Sequence, residues 1–334
     1  MCPVDQAWRK DGSLRQFLAV LFLMVMIPYV TTLAWTGRLE TPGDTSENKG
    51  VAESWEKEES GEKYVIIVRD DKEVSVPVEE FLVHVLAAQI PVGFEPETLK
   101  SQAILARTYI YSLMGDRREI YEEELDMDAR SREQMERIWG EKEYFSNMAK
   151  LQTAVKETAG LYVIHEGMMI EPLFCYASAG KTRSRGEDYP YLKQAESPGD
   201  QLAENYRSMP VFELREFVRR INEIPDAVSV SEEEMKSGSG IQIVERDGSG
   251  YVRQVQIGQK TYTGEEIQYA LGLASPCYSF EYLDGKIRAI CNGIGHGYGF
   301  AQFGANEMAK EGADFEGLLN YYFQNVMIVS SLWD

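Results

Sequence analysis

The sequence predicts an α+β fold: antiparallel β-hairpins packed around a long buried helix, preceded by an N-terminal transmembrane helix. Three patterns carry this. Runs rich in Val, Ile and Tyr are joined by short turns, Glu166-Gly167, Asp247-Gly-Ser-Gly250 and Asp284-Gly285 among them, which marks hairpins. From Pro96 to Gly115 apolar residues recur at Leu99, Ala103, Ala106, Ile110 and Leu113, steps that place them on one helical stripe. From Phe17 to Trp35 no residue is charged, a length that crosses a bilayer.

Composition narrows the classes. The 334 residues carry a net charge of −20 and are 44% hydrophobic. A sizeable core is affordable, while nucleic acid and anionic lipid surfaces are poor partners for the body of the chain. Four cysteines are too few for a disulfide scaffold. There is no Cys-x-x-Cys, no His-Glu-x-x-His and no paired Cys/His cluster, so neither a metal site nor a cofactor is expected.

In order along the chain, residues 1–16 hold Arg9, Lys10 and Arg15. Basic residues ahead of the 17–35 span place the N-terminus in the cytoplasm and the rest outside. A cleaved signal peptide is the competing reading, but the run is long for one and no clear cleavage site follows. Residues 36–62 are polar and acidic, a disordered tether. A folded domain is expected over 63–334. It opens with a hairpin, Tyr64–Val68 and Val74–Val78, then a helix to Gln89. The break at Ile90-Pro91 leads to the long helix, with Pro96 at its first position and Glu97 beside its positive dipole end. Arg107 flanks the apolar stripe, so its guanidinium needs an acceptor.

Residues 117–150 are highly charged and read as an exposed, mostly helical insertion. A helix from Ser146 to Glu157 follows. A second hairpin, 161–164 with 168–176, delivers Ser178-Ala-Gly-Lys181-Thr182 into a loop. Pro210–Asn222 resembles a surface helix, residues 241–257 a third hairpin, and Thr263 caps a short helix to Leu271. In the fourth hairpin the turn at Asp284-Gly285 sets Leu283 opposite Lys286 and Cys291 opposite Tyr278. Cys277 and Cys291 then face opposite sides, and no disulfide between them is expected. Glycines at 293, 295, 297 and 299 surround His296 and Tyr298 and feed a helix from Ala301, whose free N–H groups suit an oxygen-rich ligand. A last helix spans Phe315–Phe323.

Four of these segments resemble one family. Glu97-Thr-Leu-Lys-Ser-Gln-Ala-Ile-Leu-Ala-Arg-Thr-Tyr109 resembles the helix signature of the stage II sporulation protein D family, whose relatives include the amidase enhancer LytB. Ser178-Ala-Gly-Lys-Thr182 is similar to that family's Ser-Gly-Gly-Lys-Thr loop. Thr263-Gly264 with Ala270–Ser275 is similar to its short helix before a hairpin. Gly295-His-Gly-Tyr-Gly-Phe-Ala-Gln-Phe-Gly-Ala305 is similar to its Gly-His-Gly-x-Gly-x-Ser-Gln-Tyr-Gly-Ala element.

The resemblance implies a membrane-anchored lytic transglycosylase of sporulating bacteria, cleaving peptidoglycan glycan strands to 1,6-anhydromuramic ends during engulfment. One carboxylic acid suffices, protonating the glycosidic oxygen and then accepting the proton of the muramic O6 hydroxyl. The partners implied are stage II sporulation proteins P and M, and the place is the mother-cell membrane facing the intermembrane space. This chain departs from the pattern where the family's acid usually stands, just before Met-Pro, for it has Gln89-Ile-Pro91. Glutamine neither gives nor takes a proton at working pH. Glu97, or Glu95, is then the substitute acid, or the protein binds glycan without cutting it and recruits or stimulates an amidase. Arg107, Ser178, Lys181, His296, Tyr298 and Gln302 are the substrate-binding candidates. A third reading is a thiol hydrolase using Cys175 or Cys291 with His296.

Overall fold

The computed structural model describes residues 62–69, 72–236 and 240–330. The predicted cytoplasmic segment, the span over 17–35 and nearly all of the tether lie outside these residues. Among the described residues no helix is long and apolar enough to cross a membrane.

Strand β1 (Tyr64–Arg69) pairs antiparallel with β2 (Lys72–Pro77), which runs directly into helix α1 (Val78–Gln89). Phe81, Leu82, Val85 and Leu86 give α1 one buried face. Helix α2 (Pro96–Met114) begins on its proline and stops at Gly115, whose φ of 55° suits a residue without Cβ. Four members of its stripe are buried, but Leu113 is exposed. Thr98, Ser101, Gln102, Ile104, Leu105, Arg107 and Thr108 are buried as well, so α2 is enclosed on nearly every side.

Residues 117–150, expected as an exposed, mostly helical insertion, are largely helical but also bury part of their surface in the domain core. Strand β3 (Glu119–Tyr121) lies parallel beside β1. An irregular run follows, and helix α3 (Arg132–Glu157) starts at a capping box between Ser131 and Gln134. It is broken at Gly140, with φ 73°. Met135, Tyr144, Leu151, Ala154 and Val155 bury against α1 and α2. Charges on the outer face obscure this apolar seam in the sequence.

Strand β4 (Leu161–His165) pairs with β5 (Met168–Met169), and there the second hairpin ends, short of its predicted length. Pro172 interrupts it, because proline gives no ladder donor, and β6 (Phe174–Cys175) pairs elsewhere. Strands β7 (Arg207–Ser208) and β8 (Val211–Glu213) precede α4 (Leu214–Asn222), so the surface helix starts later than its pattern implies. After the short α5 (Glu232–Met235), β9 (Ile241–Arg246), β10 (Val252–Ile257) and β11 (Lys260–Thr263) form an antiparallel sheet centred on β10. Thr263 caps α6 (Gly264–Leu271). Strands β12 (Tyr278–Leu283) and β13 (Lys286–Asn292) pair with Leu283 opposite Lys286 and Tyr278 opposite Cys291, and β7 and β8 line the far side of β13. Strand β14 (Phe300–Ala301) lies parallel beside β6. Helices α7 (Gln302–Lys310) and α8 (Phe315–Tyr322) follow, and β15 (Met327–Ser330) closes the chain onto β4. Cys175, Cys277 and Cys291 are unpaired.

The position of α2 explains its burial. Leu99, Ala103, Ala106 and Ile110 join a cluster with α1 and α3, while Ile104 and Leu105 join a second one with β14 and α8. A helix between two cores has no solvent face along most of its length.

Candidate functional site

The C-terminal end of α1, one side of α2, the run before α3 and the segment before β6 surround a cavity of about 550 Å³. Gln89, Tyr109, Asp126, Asp128, Glu171 and His296 supply its polar lining, with Leu105 and Ala106 among the apolar residues. Gln89 and His296 are distant in sequence and meet here.

Tight packing of the glycine loop places His296. A Cβ at Gly297 would lie 2.3 Å from the Tyr251 ring, and one at Gly299 would lie 2.0 Å from the Leu173 carbonyl oxygen. Both residues take positive φ, 81° and 70°. His296 Nδ1 accepts the Tyr298 N–H at 3.0 Å, and the ring also hydrogen-bonds the Phe174 backbone. Its nitrogens therefore hold the loop, and the ring is a wall of the cavity. Burial lowers its pKa from the ordinary imidazole value, and the nearby charges of Arg183 and Arg185 add to this, opposed by Glu171.

A depressed histidine pKa stabilises the fold above the unfolded value near 6.5 and loses that contribution as pH falls through the folded value. Protonation at Nδ1 would also set one N–H against another. The thermal midpoint is expected to fall between pH 7.5 and 5.5, with a shallower fall in His296→Asn, whose Oδ1 can still accept the Tyr298 N–H. Superimposable melting curves against pH for the two proteins would refute this.

Tyr298 supports the loop from behind. Its ring lies 4.4 Å from the Arg183 guanidinium, with Tyr251 at 4.9 Å. Arg183 is buried and pairs with Asp247 at 2.6 Å and Glu265 at 2.7 Å. The start of α7 is already occupied, contrary to the expectation of an open ligand site. Asp200 accepts the Gly304 N–H at 2.7 Å, and the Tyr176 carbonyl accepts the Phe303 N–H at 2.9 Å. Asp200 also accepts the Ser178 N–H at 2.9 Å and its hydroxyl at 2.5 Å. Ser178 is fully buried and fastens its loop to α7. Burial raises the Asp200 pKa, and these hydrogen bonds oppose the shift.

Three more candidates serve the framework. Arg107 is fully buried and holds Glu79 through two hydrogen bonds, at 2.7 and 2.6 Å, with a third to the Leu161 carbonyl at 3.0 Å. It offers no surface to a sugar. Glu97 accepts the Phe315 N–H at 3.0 Å and pairs with Lys100 at 2.7 Å, so its carboxylate joins α2 to α8 and does not line the cavity. Lys181 pairs with Glu196 at 2.8 Å, also away from the cavity lining.

Gln302 is 1% exposed. Its Nε2 donates to the Gln89 carbonyl oxygen at 3.0 Å and to Gln102 Oε1 at 3.1 Å. Gln102 Nε2 in turn donates to Gln89 Oε1 at 2.9 Å. Position 89 is therefore braced from α2 and α7. Burial pushes the Cys175 thiol well above its ordinary range and the Cys291 thiol up to about 11, so neither is a thiolate at neutral pH and a thiol nucleophile finds no support.

Tyr109, Asp126, Asp128 and Glu171 escape the sequence reading. Tyr109 closes the helix signature, which flags it only as part of a helix. The two aspartates sit in an acidic run that looks merely solvated. Among the described residues no three His, Cys, Asp or Glu side chains are grouped to hold a metal ion.

Residues 71–165 match the family model described as stage II sporulation protein. The stage II sporulation protein D of Bacillus amyloliquefaciens is 32% identical over 267 residues, covering 76% of this chain and 74% of that protein. That of Bacillus subtilis (strain 168) is 30% identical over 268 residues, covering 76% and 75%. An uncharacterised protein of Brachyspira hyodysenteriae is 25% identical over 261 residues, covering 75% and 66%. With the helix signature, the braced position 89 and the glycine loop around one cavity, these similarities show that the chain belongs to the stage II sporulation protein D family.

Proposed function

We propose that this sporulation protein binds peptidoglycan glycan strands in the cavity without cleaving them, and recruits or stimulates a cell-wall amidase there. The observation that carries the reading is the side chain at position 89, an amide where the resemblance places the family's acid, in a cavity with no desolvated carboxylic acid among the described residues. Asp126 and Asp128 are exposed, and Glu171 is paired with Arg185 at 2.6 Å. A glycosidic general acid must begin protonated, and an apolar, shielded setting is what achieves that. The uncharged run 17–35 supports an anchor with the main domain outside the cytoplasm. Stage II sporulation proteins P and M are the partners the family resemblance suggests.

A second reading keeps cleavage in this chain. Three carboxylates line the cavity, and a bound strand would desolvate whichever of them it covers. The test is to incubate the purified full chain with peptide-free glycan strands, measure co-sedimentation, and look by mass spectrometry for 1,6-anhydromuramic ends. Binding without new ends is expected. Anhydro ends made by the natural protein would overturn the non-catalytic reading, and Asp126→Asn and Asp128→Asn would then identify the acid.

A further inference from the structure

The Gln89 amide is ordered by a relay that begins at a backbone carbonyl. Gln302 Nε2 lies 3.0 Å from the Gln89 carbonyl oxygen. That oxygen can only accept, so the nitrogen end of the Gln302 amide is fixed there. The same nitrogen meets Gln102 at 3.1 Å, where an acceptor is required, and this sets Oε1 of Gln102 toward Gln302. The NH2 of Gln102 must then face Gln89, at 2.9 Å, and meet its Oε1. One carbonyl thus decides the order of three amides whose two ends are nearly equal in shape. Gln102 is fully buried and Gln302 almost so. Reversal would bring NH2 against NH2 with no water to relieve it.

We infer that Gln102, backed by Gln302, is a positioning residue that makes Gln89 present its NH2 to the cavity as a hydrogen-bond donor, and that the ligand group received there is a neutral carbonyl, of the kind an N-acetylated sugar carries. The relay stands on the geometry alone; the sugar rests on the glycan reading above. Among the described residues the Gln89 NH2 has no protein acceptor, and Gln89 lines the cavity. Asp126 and Asp128 line it too, and no lysine or arginine does among the described residues; Glu171, the third carboxylate, is paired with Arg185. The two unpaired aspartates disfavour carboxylate and phosphate acceptors, which leaves neutral ones. A hydroxyl accepts and donates alike and does not distinguish the two ends of an amide, whereas a carbonyl accepts only from the NH2.

Two measurements test this. In side-chain amide hydrogen exchange by NMR on the natural protein, the NH2 protons of Gln102 and Gln302 should exchange slowly and those of Gln89 fast. A slowly exchanging Gln89 NH2 beside a fast Gln102 NH2 would overturn the relay. Calorimetric titration should then show the N-acetylglucosamine tetramer binding about tenfold more tightly than the glucose tetramer, both uncharged, as one added hydrogen bond allows. In Gln102→Leu the Gln89 amide is free to present either end, and the ratio should fall close to one. An unchanged ratio in that variant would overturn the positioning role. Failure of the natural protein to bind either tetramer, with the exchange pattern intact, would overturn the carbonyl assignment together with the glycan reading while supporting the relay.

Discussion

Gln89→Glu is expected to convert this chain into a lytic transglycosylase, with 1,6-anhydromuramic ends appearing from peptide-free strands at least a hundredfold above the natural protein. General acid–base catalysis contributes about 10²–10⁴-fold in rate, and on the glycan-binding proposal the acid is the part to be restored. A glutamate here would keep one oxygen on the Gln102 NH2, since Gln102 donates to whatever acceptor position 89 supplies. Its other oxygen would face the cavity. Ala88, Leu105 and Ala106 surround that point and would desolvate the carboxylate, raising its pKa. Asp126, Asp128 and Glu171 line the same space, and like charges raise it further. The Gln102 hydrogen bond acts the other way, favouring the charged form. The expected direction is a pKa raised above the ordinary glutamate value, the direction that a first step needing a protonated acid requires. A variant that folds, binds strands and releases no anhydro ends would show that the groove lacks more than the acid.

The parts of the fold legible in the sequence are those set by local chemistry. Pro96 and Gly115 mark α2 because a missing N–H and a missing Cβ have consequences within one turn. Asp284-Gly285 fixes the register of β12 and β13 for the same reason. The site was legible only where departure or constraint left a local trace: Gln89 before Ile-Pro, and His296 among glycines. What hid were relations between distant elements. Gln102 on a helix reads as a surface residue until α7 delivers Gln302 to it. Asp200 carries no motif, yet it occupies the helix start that the glycine loop seemed to offer a ligand. Asp126 and Asp128 are indistinguishable by composition from the glutamates at 122–124, and only the path of the chain puts them on the cavity. Arg107 was recognisable as needing an acceptor, but nothing local says that the acceptor is Glu79 on the preceding helix, rather than a ligand.

The Arg107–Glu79 pair is expected to show the largest stability effect in the domain, and an asymmetric one. Glu79→Leu fills the space with an apolar cap and strands a guanidinium that is fully buried. Removing one partner of a buried pair costs about 3–5 kcal/mol. Arg107→Met should cost less, because the Glu79 side chain keeps 37% exposure and can turn to water. The double variant should recover part of the loss, since an apolar pair of similar volume is often tolerated where an unpaired charge is not. Urea unfolding of the three variants measures this coupling, and simply additive losses would refute it. The double variant also decides what Arg107 is for. Its bonds join α2 to α1 and to the start of β4, so its work is to hold α1, and with it Gln89, in place. If that is its whole role, the refolded double variant binds glycan as the natural protein does. If the guanidinium reaches a strand in some opened form of the domain, stability would return in the double variant and binding would not.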